Sequence, residues 1–198
     1  MSGTPPFVRH AGRVAALDRA NVDTDQIIPK QFLKRIERDG FGEFLFWEWR
    51  KDPAFELNRP EYAGATILAA GPNFGSGSSR EHAAWALEGA GFRAVVAPSF
   101  GDIFRINAGK IGLLAVVLPE EDVREIMTLA PAAATVDLER QAVTLASERE
   151  VPFAIDPDLR ERLLNGWDEI DLTLRREGEI AAYEQARERP GPSTVALG

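Results

Sequence analysis

The chain has no cysteine among its 198 residues and only two histidines, His10 and His82. Without cysteine it forms no disulfide, thiol nucleophile or thiolate-bound zinc or iron–sulfur site of its own, and two histidines nearly exclude a multi-histidine metal site. No apolar run approaches the roughly 20 residues that cross a bilayer, and Met1–His10 lacks the apolar segment of a signal peptide. We therefore expect a soluble, cytoplasmic protein with no metal bound by this chain and no membrane partner.

Basic residues are outnumbered, with 23 Lys and Arg against 31 Asp and Glu, which gives a formal net charge of −8. An acidic chain lacks the electrostatic footprint of a nucleic-acid-binding protein, so no nucleic-acid partner is expected. The length and the 44% hydrophobic content suit one domain with a sizeable core. We expect that domain to span residues 1–189, and we expect 190–198 to form a disordered tail.

The middle of the chain carries the pattern of an α/β fold. Apolar runs typical of buried strands alternate with helix-forming segments, which predicts parallel strands joined by right-handed crossovers. The predicted strands are Phe7–Leu17, Ala65–Ala70, Arg93–Pro98, Gly112–Leu118, Ala134–Leu138, Gln141–Ala146 and Val151–Ile155, and helices are predicted at His82–Glu88 and Gly101–Ala108. The expected fold class is therefore a mixed α/β single domain with β-rich flanks and a helical C-terminal tail.

An aromatic-rich segment, Phe41–Arg50, precedes this α/β region. Its aromatic side chains follow a spacing close to that of one helix face. Large aromatic rings at such spacing are typical of a helix that packs on a hydrophobic core, and an aromatic cage for a ligand is the weaker interpretation. The sequence therefore predicts a core-facing helix over these residues.

A glycine-rich loop, Gly71–Gly77, connects the first central strand to its helix, where open α/β sheets commonly bind ligands. Backbone N–H groups and the helix dipole favour anions at such a place. The loop continues as Ser78, Ser79 and Arg80, so it lacks the lysine of a Walker A motif, and Arg80 stands where a dinucleotide-binding motif needs glycine. Neither a nucleoside triphosphate nor NAD is supported as a ligand.

Two interpretations of this loop remain open on spacing alone. In the structural one, Ser78 or Ser79 caps the following helix and Arg80 is merely solvated. In the functional one, Arg80 opposes the helix dipole and therefore binds a carboxylate or phosphate, while a serine alkoxide is stabilised by the same cation and by N–H donors. A Ser–His–Asp hydrolase is disfavoured, because His82 does not obviously meet Ser78 and fits a structural histidine better.

Three segments together are specific to one family. They are Asn21–Pro29 (NVDTDQIIP), Asn73–His82 (NFGSGSSREH) and Ala97–Phe104 (APSFGDIF). Through them nearly the whole chain resembles the small subunits of 3-isopropylmalate dehydratase, a family of the aconitase superfamily. The resemblance implies an aconitase-like swivelling β/β/α domain over residues 1–189, and a separate large subunit that carries a [4Fe–4S] cluster.

The reaction that the resemblance implies is the isomerisation of 2-isopropylmalate to 3-isopropylmalate, by dehydration and rehydration through 2-isopropylmaleate, in leucine biosynthesis. The chain would then be part of a hydro-lyase that is active only with its large subunit, acting on a small dicarboxylate. By the match of motifs, Ser78 is the catalytic base, and Thr24 and Asp25 orient this serine or its partners.

The resemblance also implies a set of substrate contacts. Arg80 holds a substrate carboxylate, and the backbone around Ser78 and Ser79 supplies N–H donors. Ile28 and Lys30 lie in a segment, Ile27–Leu33, that is similar to the family's contact with the variable group of the substrate. An apolar residue there suits an isopropyl group, although discrimination at the level of a methylene is worth only about 1–3 kcal/mol.

Two other functions stay open. The first is a sister hydro-lyase acting on homoaconitate or on a methylated malate or citraconate, which the cations Lys30, Lys34 and Arg35 keep in consideration. The second is a non-catalytic anion-binding module on the same fold. The second would be favoured if Ser78 and Arg80 proved to be buried in purely structural contacts.

Overall fold

The computed structural model describes residues 4–34, 40–175 and 177–187. Within these ranges the chain forms seven strands and seven α-helices. The strands are β1 (Arg9–Leu17), β2 (Ile67–Ala70), β3 (Ala94–Ala97), β4 (Leu114–Val117), β5 (Ala133–Asp137), β6 (Ala142–Thr144) and β7 (Glu150–Pro152). The helices are α1 (Thr24–Ile27), α2 (Glu81–Gly89), α3 (Asp102–Lys110), α4 (Glu120–Leu129), α5 (Pro157–Asn165), α6 (Glu169–Leu174) and α7 (Glu177–Arg187).

All seven strands belong to one sheet, in the order β4-β3-β2-β1-β5-β6-β7. The strands β1 to β4 pair in parallel, and β5 to β7 continue the sheet through antiparallel pairs. The long strand β1 belongs to both halves, because Val14–Leu17 pairs with β2 and Arg9–Arg13 pairs with β5. The predicted mixed α/β fold and its parallel β2–α2–β3 unit are confirmed.

Each face of the sheet carries its own hydrophobic core. Along β2 and β3 successive side chains point to opposite faces, so that Leu68 and Val95 join one core while Ile67 and Val96 join the other. Helices α2 and α3 pack on the first core, and α4 and α5 on the second. The central strands are therefore covered on both sides, which accounts for their continuous apolar runs.

The aromatic segment differs from its prediction. Phe41–Phe44 and Trp49–Lys51 are separate short 3₁₀ helices, and between them Phe46 adopts a left-handed backbone with φ of 53°. Phe41 and Phe46 are fully buried, whereas Trp47 is exposed. The predicted helix over Phe41–Arg50 was therefore wrong, because the rings reach the core through a bent chain and not along one helix face.

The fold brings the three motif segments to one edge of the sheet. Since β1, β2 and β3 run in parallel, the segments that follow them all leave at their carboxyl ends. The tail predicted to be disordered, 190–198, lies outside the described residues. No helix in the described ranges is long and apolar enough to cross a membrane.

Candidate active site

The first turn of α1 is fixed against the glycine-rich loop. Asp23 caps α1, since its carboxylate accepts from the N–H of Gln26 at 2.7 Å while the Gln26 side chain accepts from the N–H of Asp23 at 2.9 Å. This is a capping box, in which two N–H groups are satisfied reciprocally. The N–H of Thr24 then donates to the carbonyl of Ser76 at 3.0 Å. The loop and α1 therefore form one unit within this chain.

Two successive residues of α1 hold alternate residues of the loop. The buried hydroxyl of Thr24 donates to the carbonyl of Ser78 at 3.0 Å. The carboxylate of Asp25 accepts two hydrogen bonds from the Arg80 guanidinium, one from Nη1 and one from Nη2, the latter at 2.8 Å. We call these contacts the α1 clip. The clip places the predicted residues Thr24, Asp25, Ser78 and Arg80 together.

Asp25 is charged in this arrangement. Hydrogen bonds from Arg80 lower the pKa of its carboxyl below the ordinary value, against the opposing effect of burial. The positive charge of Lys30 and the backbone N–H of that residue add to the lowering. At neutral pH Asp25 is therefore an ion-pair partner and not a proton donor, and Lys30 lies beside it.

Ser78 and Ser79, which follow the glycine-rich loop, are exposed. Their hydroxyls make no hydrogen bond to any of the residues that the structure describes. Helix α2 begins at Glu81 with Arg80 as its N-cap, and no side chain caps it. The prediction that Ser78 or Ser79 caps this helix was therefore wrong. Arg80 is extended, at φ −140° and ψ 110°, and the helix begins one residue before its predicted start at His82.

The uncapped start of α2 has a chemical consequence. The first N–H groups of a helix lack intrahelical partners and carry the positive end of the helix dipole. Here they lie directly after Ser78 and Ser79, beside the cation of Arg80. The loop thus combines free hydroxyls with donors and positive charge, an arrangement that stabilises an anion.

A second set of contacts, which sequence reasoning missed, supports the loop from the side of β3. The N–H of Asn73 donates to the Ser99 hydroxyl at 2.8 Å, and the N–H of Gly101 donates to the Phe74 carbonyl at 2.9 Å. Gly75 has φ of 73°, and a Cβ there would lie 2.3 Å from Phe104 Cγ. The third motif segment, Ala97–Phe104, therefore packs against the glycine-rich loop and supports it. In the sequence, only the membership of these residues in the motif could have indicated that support.

The remaining residues singled out in the sequence, Lys30, Ile28 and His82, differ in their exposure. Lys30 is exposed beside Asp25, within reach of the loop. Ile28 is fully buried in the core, so the expectation that its side chain contacts a ligand is corrected. His82 packs between Phe41 and Trp85, with ring centroids 5.2 and 4.6 Å away, and burial lowers its pKa. This placement fits a structural histidine.

Nothing in this chain suits an iron–sulfur cluster. The sequence has no cysteine, so the thiolates that hold such clusters are missing. Within the described ranges, no group of three or more His, Cys, Asp or Glu side chains could hold a metal ion.

Comparison with known proteins identifies the family. Residues 4–121 match the family described as the aconitase C-terminal domain. The chain is 57% identical over 196 residues to the 3-isopropylmalate dehydratase small subunit of Geobacillus kaustophilus, covering 94% of this chain and 99% of the relative. It is 58% identical over 191 residues to the protein of the same name from Anoxybacillus flavithermus, covering 92% and 98%.

A solved structure shows the same fold. The crystal structure of 3-isopropylmalate dehydratase from Methanocaldococcus jannaschii superposes with a TM-score of 0.68 at 24% identity, over 89% of this chain and 99% of that one. At this identity the likeness concerns the fold, whereas the sequence relatives carry the family assignment. The chain belongs to the family of 3-isopropylmalate dehydratase small subunits, within the aconitase superfamily.

Proposed function

We propose that this chain is the small subunit of a 3-isopropylmalate dehydratase, a hydro-lyase that interconverts 2-isopropylmalate and 3-isopropylmalate through 2-isopropylmaleate in leucine biosynthesis. The observation that carries the proposal is the α1 clip, which fixes the Ser78 carbonyl and the Arg80 guanidinium on α1 just before the uncapped start of α2 and leaves Ser78 exposed. The names of its relatives at 57% and 58% identity support the same reaction.

Ser78 is the proposed catalytic base. In dehydration its alkoxide takes the carbon-bound proton of the substrate, the electron pair of that C–H bond becomes the double bond, and the substrate hydroxyl leaves as hydroxide. Lewis acidity for that departure would be supplied by a cluster in the partner subunit. In rehydration the same hydroxyl returns the proton to carbon. A serine is a weak base at its ordinary pKa, so the step needs stabilisation of the alkoxide by nearby donors and positive charge. The first N–H groups of α2 and Arg80 supply both.

Arg80 is the proposed clamp for a substrate carboxylate. Asp25 already takes the end of the guanidinium that carries Nη1 and Nη2. Nε makes no hydrogen bond to any described residue, so this donor is unused within the described ranges, on a side chain that is 13% exposed. A guanidinium has five donors in a planar fork, which allows two carboxylates to be held on two edges. Asp25 is thereby a positioning residue that fixes the plane of Arg80.

The large subunit is the proposed partner, and it is the proposed holder of the [4Fe–4S] cluster because this chain offers no ligand for one. A small-subunit name, shared by the relatives, implies such a partner. The proposal keeps a dicarboxylate substrate and a cytoplasmic location. It assigns to this chain the base, the clamp and the positioning residues Thr24 and Asp25.

A sister substrate is the second candidate. Lys30 is exposed beside Asp25, and a cation at that place suits a substrate with one more carboxylate than isopropylmalate. Homoaconitate, which carries that third carboxylate, would use the same Ser78 and Arg80. A methylated maleate such as citraconate would use them too, but as a dicarboxylate it gains nothing from Lys30. The two candidates share the mechanism and differ in the group that meets the segment from Lys30 onward.

The test is an anaerobic assay with a reconstituted large subunit. This chain, the large subunit and the mixture are each given 2-isopropylmaleate, and loss of the alkene absorbance is followed. We expect turnover in the mixture alone. Turnover of homoaconitate or citraconate with none of 2-isopropylmaleate would establish the second candidate. A complex that forms and turns over none of the three would contradict an enzymatic role and favour an anion-binding module.

A further inference from the structure

A groove of about 960 Å³ lies between α3 and the helices α5 and α6, outside the candidate active site. Asp102 and Ile106 of α3 line one side of it, and Trp167, Thr173 and Arg175 line the other. The Arg175 guanidinium stacks on the Trp167 ring, 3.6 Å from the ring centroid. The groove is therefore lined by charged residues of both signs together with the apolar side chains Ile106, Leu159 and Trp167.

Exposed apolar side chains flank this groove on both sides. On α3, Ile103 and Ile106 are three residues apart on one face, and they are 46% and 57% exposed. On α6, Ile170 and Leu174 share a face with the lining residue Thr173 and are 68% and 59% exposed. Four of the nine large exposed apolar side chains found in the described ranges thus lie on the two helices that border the groove, and Ile106 is one of its lining residues. Such clustering marks an interaction surface.

The groove is continuous with the candidate active site. It begins at Asp102, the first residue of α3. The preceding residue, Gly101, donates its N–H to the carbonyl of Phe74 in the glycine-rich loop. A Cβ on Gly101 would lie 2.5 Å from the Gly75 carbonyl oxygen, so the start of α3 touches the loop directly. A partner bound at the loop therefore lies beside the start of α3, where the groove begins.

We propose that the groove and the four apolar side chains around it, Ile103, Ile106, Ile170 and Leu174, form the docking surface for the large subunit. The inference rests on the proposed function, because that function requires a second subunit to complete the loop site. The composition agrees, since stable interfaces place exposed apolar, tryptophan and arginine side chains at their centre and charges at the rim. The surface holds the partner, whereas the clip residues perform the chemistry.

The test measures affinity and turnover separately. Ile106→Asp and Leu174→Asp place a charge on each wall of the groove, and Val8→Asp is the matched control. Val8 is 41% exposed just before β1, at the end of that strand opposite the loop. Thermal unfolding of each variant confirms that the chain is folded. Dissociation constants for the reconstituted large subunit are then measured anaerobically by isothermal titration calorimetry, and turnover is measured at rising large-subunit concentration.

We expect each groove variant to weaken the complex by about tenfold or more and the double variant by about 100-fold, with no change for Val8→Asp. Turnover should return to the wild-type value at saturating large subunit, since the loop is intact. An unchanged dissociation constant in the double variant would overturn the inference. So would a self-association of the wild-type chain, seen by sedimentation, that the double variant loses while its affinity for the large subunit stays normal.

The outcome for the wild-type chain separates this inference from the proposed function. If the groove variants lose the complex while the wild-type complex turns over no substrate, the docking surface stands and the proposed function fails. If the wild-type complex is active and the groove variants bind normally, the proposed function stands and the docking surface is wrong. A wild-type chain that does not bind the large subunit at all would overturn both.

Discussion

At the scale of single residues, Ser78 is the group that the proposed chemistry needs most; it is exposed, and its hydroxyl makes no hydrogen bond to any described residue. Ser78→Ala should therefore leave folding and complex formation unchanged while it lowers kcat by roughly 100- to 10,000-fold, the range that general base catalysis supplies. The measurement is steady-state turnover of the mixture with 2-isopropylmaleate. Ser147→Ala, an exposed serine bonded to Glu125, is the control and should keep full activity. Near-normal turnover of Ser78→Ala would remove the base from the proposal.

Substitution of Arg80 tests whether the planar shape of its guanidinium is needed to hold a substrate carboxylate. Arg80→Lys keeps the positive charge but replaces a planar fork by a point ammonium, which cannot hold Asp25 and a substrate carboxylate together. We expect kcat/KM to fall by about 10- to 100-fold, with KM carrying part of the loss. Arg140→Lys is the matched control, because Arg140 makes the same two-bond contact with Glu150 in the distant β5–β7 region, both at 2.8 Å. Equal kinetics for the two variants would contradict the clamp.

Individual residues also show where sequence reasoning stops. The residue types at positions 24, 25, 78 and 80 indicated their chemistry, and the match of motifs indicated that they belong together. The Thr24 hydroxyl contacts the Ser78 carbonyl, and Asp25 contacts Arg80, which is 55 positions away in the chain. Both contacts depend on the pairing of β1 with β2. Spacing along the chain carries no information about such a contact, and the burial of Ile28 was missed for the same reason.

At the scale of elements, the loop and α3 fit together through glycines. Gly75→Ala would place a Cβ 2.3 Å from Phe104 Cγ at a φ of 73°, whereas Gly64→Ala has a similar φ of 71° and open space around it. Both should lose about 1–2 kcal/mol from the left-handed backbone, and Gly75→Ala should lose about 1–3 kcal/mol more through overpacking. Urea unfolding of the two variants measures the difference. Equal losses would show that the loop does not rest on Phe104.

Element types were predicted best where the hydrophobic period was unambiguous. The fully buried strands β2 and β3 were anticipated within one or two residues, because both faces of the parallel sheet are covered and their runs are continuous. The segment Phe41–Arg50 misled, because its ring spacing also suits a bent chain of 3₁₀ turns that delivers Phe41 and Phe46 to one core. The start of α2 was predicted at His82 and lies at Glu81, and its N-cap residue Arg80 is held by a long-range ion pair and not by a local cap.

At the scale of the whole molecule, the two histidines should make the free energy of unfolding decrease as the pH falls. Burial lowers the pKa of both His10 and His82 below 6.5, so the folded chain binds their protons less readily than the unfolded chain. This stability is complete above about pH 6.5 and is lost as pH falls through the lowered values. We expect a smaller free energy of unfolding at about pH 5.5 than at about pH 7.5.

Urea unfolding at the two pH values measures this dependence. The carboxyls with lowered pKa, such as Asp25, act at more acidic pH and do not contribute in the same window. A variant that combines His10→Asn with His82→Gln should show a flatter dependence between the two values. A wild-type chain that becomes more stable on acidification would contradict the burial of the two rings.

The α1 clip also bears on the kinetics with which the two subunits associate. Because the loop is tied down by residues of its own chain, the conformational entropy of ordering it is lost when the small subunit folds and not when the partner arrives. Association then requires only the orientation of two preformed surfaces, for which rate constants of about 10⁵–10⁷ M⁻¹s⁻¹ are typical. Assembly should therefore follow a single concentration-dependent phase, with no slower unimolecular rearrangement of the loop behind it.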